Sequence, residues 1–178
     1  MAHIIKHINS KLTITSTTLF FVCFFAFIAA KYYYPADVDQ ICQKESPLLV
    51  NKIHSCSLTQ QIVSNLELEG YTPVLLENSK QSRGPFKARF DYQIFEINNY
   101  KINGDPSGGT AQFRFINGRL SSIVYTPKKP GSVFELYPEN RTNATSIQHS
   151  PNYQGLKYIS WSNNQLESYI SWWIRRFA

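Results

Sequence analysis

The chain has 178 residues, 43% of them hydrophobic and 15% aromatic, with a formal net charge of +6. Three of its 18 basic residues (Lys6, Lys11 and Lys31) flank one apolar run, which leaves 15 against 12 acids elsewhere and no basic stripe; the surplus is too small and too scattered for a nucleic-acid footprint. Eleven Tyr and 12 Phe point instead to a β-rich core, because rings fit a pleated, half-buried surface.

No residue between Leu12 and Ala30 is charged, and residues 19–30 are apolar throughout. About twenty such residues cross the hydrocarbon core of a bilayer as a helix, so residues 12–31 read as a single transmembrane anchor. A cleaved signal peptide and a buried core helix are the competing readings. Against the first, a cut after Ala30 would leave bulky Ile28 three residues back, where a small residue is needed. A lipoprotein signal would need small residues before its Cys, whereas Cys23 follows Phe20-Phe21-Val22. With Lys6 and Lys11 before the run and Asp37, Asp39 and Glu45 after it, the positive-inside rule places residues 1–11 in the cytoplasm as a short tail and residues 32–178 outside.

Tyr32, Tyr33 and Tyr34 form an aromatic cluster at the expected membrane boundary, and Pro35 ends any helix there. Residues 32–56 read as a linker with a disulfide loop. Cys42 and Cys56 would meet an oxidising space, and their bond would close a loop of about 15 residues, worth roughly 3 kcal/mol; two unpaired thiols are the alternative. Residues 57–178 read as the outer domain. It begins with a capping box, Ser57-Leu58-Thr59-Gln60, followed by Leu58, Ile62 and Leu66 at helical spacing and Gly70 as a stop, which predicts a helix over 58–69. Residues 78–85 read as a polar loop. From residue 86 the period changes to two, with Phe90, Tyr92 and Ile94 on one strand face and Arg89, Asp91 and Gln93 on the other; Asn98-Asn99 then reads as a turn.

Asn117-Gly118 between alternating segments predicts a two-residue type I′ hairpin. Its register would pair Ile116 with Arg119, Phe115 with Leu120, Phe113 with Ser122 and Ala111 with Val124, placing Phe113, Phe115, Leu120 and Val124 on the core face. Residues 133–137 read as a strand, 138–151 as a long polar loop and 156–161 as a last strand. A second capping box, Ser162-Asn163-Asn164-Gln165, opens a C-terminal amphipathic helix with Leu166, Tyr169, Ile170, Trp173, Ile174 and Phe177 on one stripe. The stripe predicts packing on the chain's own sheet. Trp172 lies off it and, with Arg175 and Arg176 in the last turn, is the candidate partner contact. The fold class is thus α+β: one N-terminal transmembrane helix, then a mostly antiparallel β domain, meander or small barrel-like sheet, with one helix near 58–69 and another at the C-terminus.

No catalytic constellation emerges. Gly104-Asp105-Pro106-Ser107-Gly108-Gly109 resembles the segment around a serine-protease nucleophile, but Pro106 breaks the spacing and neither His54 nor His149 has a triad context; it reads as a turn between strands. There is no phosphate-cradling loop and no metal-ligand spacing, so no cofactor or metal is expected. A tail of about eleven residues cannot house a signalling domain, so any inward signal must pass through another membrane protein.

The short basic tail, single span, early Cys42 and Cys56 and aromatic β-rich head together resemble the membrane-anchored co-regulators of enteric bacteria of the ToxS, PsaF and MyfF type. That resemblance implies a non-enzymatic protein of the inner membrane with its head in the periplasm. There it would bind and protect or activate a membrane-bound transcription activator of fimbrial or virulence genes. It also permits an apolar ligand such as a bile salt or fatty acid. The alternative from the helix-then-meander order is a periplasmic envelope-assembly or inhibitor-type binding module.

Overall fold

The computed structural model describes residues 18–34, 36–129, 131, 133–152 and 155–178. The expected tail 1–11, the first part of the expected span (12–17) and Pro35 lie outside the described residues. Helix α1 covers residues 18–32, and among the described residues no helix is long and apolar enough to cross a membrane.

The segment expected as a linker belongs to the head. Asp37 caps a short helix, α2 (Val38–Lys44): its carboxylate accepts from the Gln40 amide at 2.8 Å while the Gln40 side chain accepts from the Asp37 amide at 3.1 Å. Two apolar residues in seven gave no readable stripe, yet both, Val38 and Ile41, are buried. A two-stranded ribbon follows, β1 (Leu48–Val50) and β2 (Ile53–His54), turning through Asn51 and Lys52, both at positive φ. The Cys42–Cys56 disulfide forms, with its Cα atoms 5.4 Å apart. Beyond it the backbone runs along the Asn-Gly hairpin: Cys56 donates to the Leu120 carbonyl, and Leu120 donates back to Ser57.

That ladder corrects the first cap. Helix α3 (Thr59–Leu68) starts at Leu58 with no side-chain cap, because Ser57 is held in the ladder and its hydroxyl donates to the His54 carbonyl instead. Ile62 and Leu66 are buried as the spacing predicts.

The remaining strands build one open antiparallel sheet of seven, in the order β3-β4-β5-β6-β9-β8-β7. These are β3 (Val74–Arg83), β4 (Ala88–Ile102), β5 (Asp105–Ile116), β6 (Arg119–Pro127), β7 (Asn140–Arg141), β8 (Thr145–Pro151) and β9 (Lys157–Asn163). Because β3 and β7 are edges, the sheet is open and not a barrel; it consists of two meanders, β3–β6 and β7–β9, joined where β6 pairs with β9. Four sequence expectations change. Residues 78–83 are strand, part of an edge exposed along most of its length, where neither face needs to alternate. Asn99 lies at a β-bulge within β4 with positive φ, not in a turn. The turn after β4 is Asn103-Gly104, so Asp105–Gly109 lie within β5. Residues 138–151 contain β7 and β8.

Residues 133–137, expected as a strand, form a one-turn helix, α4 (Val133–Leu136), in which the Tyr137 amide donates to the Val133 carbonyl. Val133, Phe134 and Tyr137 share one helical face against the core; a run this short fits either period.

Asn117 and Gly118 both take positive φ, as a type I′ turn requires. Ile116 pairs with Arg119 and Phe115 with Leu120 as predicted, but a bulge follows, so Phe113 faces Ile123 and Ala111 faces Tyr125. The side-chain parity of β6 flips at the bulge. Ile123 and Tyr125 therefore join Phe113, Phe115 and Leu120 in the core, and Val124 turns to the other face.

The sheet buries two clusters on opposite faces. One packs Tyr100, Phe113, Phe115 and Trp161 against α3, α4 and β1. The other packs Phe90, Tyr92 and Ile116 against α2 and the terminal helix α5 (Asn164–Phe177). The cap of α5 is Asn163, one residue later than predicted, because Ser162 is paired in β9 opposite both Ser122 and Ser146. The Asn163 side chain accepts from the amides of Gln165 and Leu166 and donates to the Ser55 hydroxyl at 3.0 Å.

Two stability outcomes follow. Cys42→Ser, or reductant on the unaltered chain, is expected to lower the melting temperature by an amount matching about 3 kcal/mol. Reductant should then change nothing further in the variant, and identical melting with and without it would remove the bond from the account. Asn163→Ala is expected to cost about 2–4 kcal/mol in denaturant unfolding, the sum of a lost cap and an unpartnered Ser55 hydroxyl; a loss no larger than that of an exposed Asn would contradict this.

Candidate functional site

The three tyrosines at the end of α1 each meet a different part of the head. Tyr32 stacks on Phe177 of α5 with ring centres 5.9 Å apart. Tyr33 lies edge-on to Phe86 in the β3–β4 turn at 6.3 Å. Tyr34 is edge-on to Tyr169 at 5.4 Å and tilted against Trp172 at 5.1 Å. Lys31 places its ammonium 5.3 Å from the Tyr32 ring centre.

Strand β4 fixes the other half of this arrangement. Trp173 stacks on Phe90 at 4.2 Å; its indole donates to the Ala88 carbonyl, and the Tyr169 hydroxyl donates to the Arg89 carbonyl at 2.7 Å. The C-terminal turn of α5 is thereby brought to the β3–β4 turn. A Cβ on Gly84 would lie 2.7 Å from Phe177 Cε1, and Gly84 also has φ +79°, so glycine is required twice over.

Between these elements lies an open cavity of about 410 Å³, lined by Tyr32, Tyr33, Tyr34, Asp37, Asp39, Phe86, Lys87, Arg89, Asn117, Tyr169 and Trp172. Two ion pairs border it, Arg119 with Asp39 at 2.9 Å and Arg89 with Asp91. Burial raises the phenols of Tyr34 and Tyr169 above their ordinary value, so both stay neutral at physiological pH. A bowl of neutral rings, bordered by Lys87 and Arg89 on one side and by Asp37 and Asp39 on another, can clasp apolar or aromatic groups.

The three candidate contact residues of α5 are split apart. Trp172 is half-buried in this bowl, whereas Arg175 and Arg176 are exposed; Arg175 lines a separate groove with Glu167 and Arg141. The sequence marks Tyr32 to Tyr34 as an aromatic cluster, but nothing in the spacing reveals that Phe86 and Phe177 join it.

The protease-like segment also has a structural explanation. The Asp105 carboxylate accepts from the Ser107 hydroxyl at 2.5 Å and from the Tyr125 hydroxyl at 2.6 Å. Burial alone would raise its pKa, but these hydrogen bonds outweigh burial and hold it below the ordinary value. Both outer histidines tie loops: His149 Nε2 is 2.7 Å from the Tyr137 carbonyl, and His54 Nδ1 is 2.9 Å from that of Ser46. Among the described residues no group of His, Cys, Asp or Glu could hold a metal ion. No family model matches the chain, and no curated protein matches it.

On the sheet-facing side of α5, burial raises the Glu167 carboxyl above its ordinary value, while Arg114 and a hydrogen bond from Ser122 pull it part of the way back. A raised folded pKa means the stabilising contribution is complete below the unfolded value and is lost as pH rises through the folded one. Glu167→Gln, which mimics the neutral acid, is expected to raise the melting temperature above that folded value and to be nearly neutral at pH below the ordinary one. A difference between the two chains that does not vary with pH would contradict it.

Proposed function

We propose that the chain is a non-enzymatic membrane-anchored partner protein. Residues 12–31 span the inner membrane with the N-terminus in the cytoplasm, and the head lies in the periplasm. There it binds and stabilises or activates a membrane-bound transcription activator of fimbrial or virulence genes.

The observation that supports this reading best is the state of α1. Leu19, Phe20, Phe21, Val22, Phe24, Phe25 and Phe27 are each between 48% and 65% exposed, and the ring contacts between α1 and the head start only at Tyr32. A helix that is apolar all round is covered by lipid or by a core, and the head supplies no core for it. Residues 12–17 upstream, mostly Thr and Ser but without charge, extend the charge-free length toward that of a span. The Cys42–Cys56 bond suits an oxidising compartment.

On this reading the head acts by contact. Edge strand β3 offers the surface: among the described residues its outer backbone groups have no neighbouring strand, and Val74, Leu75 and Leu76 are each about half exposed. Further along, the charges of Lys80 and Arg83 protect the edge, so its apolar start, where the register shifts at Leu76, is where a strand of the activator's outer domain would add.

Two measurements check this. Carbonate-washed inner membranes are expected to retain the chain; recovery of a soluble form trimmed near Ala30 would overturn the anchor. Val74→Asp with Leu76→Asp, both on the exposed edge, should leave melting unchanged while the activator no longer co-purifies and its target promoter falls silent. Loss of envelope integrity with transcription intact would favour the assembly-module reading instead.

A further inference from the structure

We infer that the β3–β4 turn and the last turn of α5 form a lipid-facing seat that presses the head onto the surface of an anionic bilayer. This rests on the anchored reading above and goes beyond it, because an anchor alone leaves the head free to float at the end of its helix.

The placement comes from three contacts. Phe86 lies beside Tyr33, Phe177 lies beside Tyr32, and the Phe177 ring fills the space where Gly84 would carry a Cβ. Tyr32 and Tyr33 follow Ala30, the last residue of the uncharged run, by two and three residues. At about 1.5 Å of rise per residue this sets them roughly 3–5 Å past the hydrocarbon boundary. The headgroup layer is about 5–8 Å deep on each side. The turn and the end of α5 therefore sit at headgroup depth.

The chemistry there suits that layer. Tyr33 is 59% exposed and Phe86 is 55% exposed, and neither is needed to fill a core. Amphipathic and aromatic rings of this kind are enriched where bilayer meets water. Arg83 and Lys87 bracket Phe86, and Arg175 and Arg176 flank Phe177, all four exposed. No acid occurs between Glu77 and Asp91 or after Glu167. Among the described residues both ion pairs engage other cations, Arg89 and Arg119. In space, Asp37 and Asp39 line the bowl beside Lys87, and Glu167 shares a groove with Arg175; Asp39 is already paired with Arg119, so basic groups remain in excess around these exposed rings, which matches anionic phospholipid headgroups better than a neutral surface.

The seat also sets a height. Strand β3 leaves the turn at Arg83, and its exposed start at Leu75 lies up to roughly 26 Å along the strand, at about 3.3 Å per residue. An upright head would hold the proposed partner edge at that level.

The test uses the full chain in nanodiscs of phosphatidylcholine or of an equimolar mixture with phosphatidylglycerol, with nitroxide lipids as quenchers. A fluorophore goes on Pro85→Cys in a Cys23→Ser background, which keeps Arg83, Phe86 and Lys87. A control carries it on Glu135→Cys, beside the opposite end of the β4–β5 pair, and a third sample carries it on native Cys23. Expected is strong quenching at position 85 by headgroup-level nitroxide, greater in the anionic discs, with none at 135. Adding Arg83→Gln and Lys87→Gln should abolish the anionic increment, and Phe86→Ser should weaken quenching in both discs. If position 85 is quenched no more than 135 while Cys23 is quenched by deep nitroxide, the seat is overturned and the anchor stands. If Cys23 escapes quenching as well, both fall.

Discussion

The clamp of α5 on the first residues of β4 is the interaction the rest of the molecule depends on. Trp173 lies flat on Phe90, and two side-chain donors, the Trp173 indole and the Tyr169 hydroxyl, reach successive carbonyls at Ala88 and Arg89. Burying such rings contributes about 1.5–3 kcal/mol each, and the paired donors fix where along the strand the helix stops. From that one placement follow the position of Phe177 over Gly84, the ring of Trp172 against Tyr34, and the groove into which α2 inserts Val38 and Ile41. The end of α1 is held because α5 is held.

A second constraint comes from hydrogen-bonded polar groups, two buried (Asn163 and Asp105) and one half-buried (Asn51), which favour one arrangement of the loops that carry them. Asn163 links the start of α5 to Ser55, next to the disulfide. Asn51, in the β1–β2 turn, reaches the β4–β5 connection, donating to the Lys101 carbonyl and accepting from the Asn103 amide. Asp105 joins Ser107 to Tyr125 across the sheet. Each would cost stability if left unpaired, so each selects one register over its neighbours. Together they turn residues 36–56 from a tether into part of the head, which is why the clasp on α1 has a rigid body behind it.

In the proposed partner role, function depends on surfaces more than on reacting groups. The bowl at the end of α1, with the basic rim near Phe86 at its edge, and the exposed start of β3 are carried by one stiff sheet, so a contact at one can be geometrically fixed relative to the other. That is a physical basis for a regulator that works by presenting a neighbour with a surface in a set orientation.

Local chemistry alone specified several things: the uncharged run, the disulfide pair, the helix around Ile62 and Leu66, the amphipathic stripe of α5 and the Asn-Gly turn with its first two pairs. Each is carried by residues within one turn or one strand of each other, or by two cysteines in a cysteine-poor chain. What escaped depends on partners distant in sequence. The parity flip in β6 is set by a bulge that the Ser121 hydroxyl closes onto the Arg114 carbonyl, and Ser57 and Ser162 lost their capping roles because strands elsewhere claimed their backbones. Strand β3 lacked a pattern because an edge open on both faces demands none. The junction of Tyr32, Tyr33 and Tyr34 with Phe177, Phe86 and Trp172 could only be decided in three dimensions, since ring contacts between residues more than fifty positions apart leave no periodic trace along the chain.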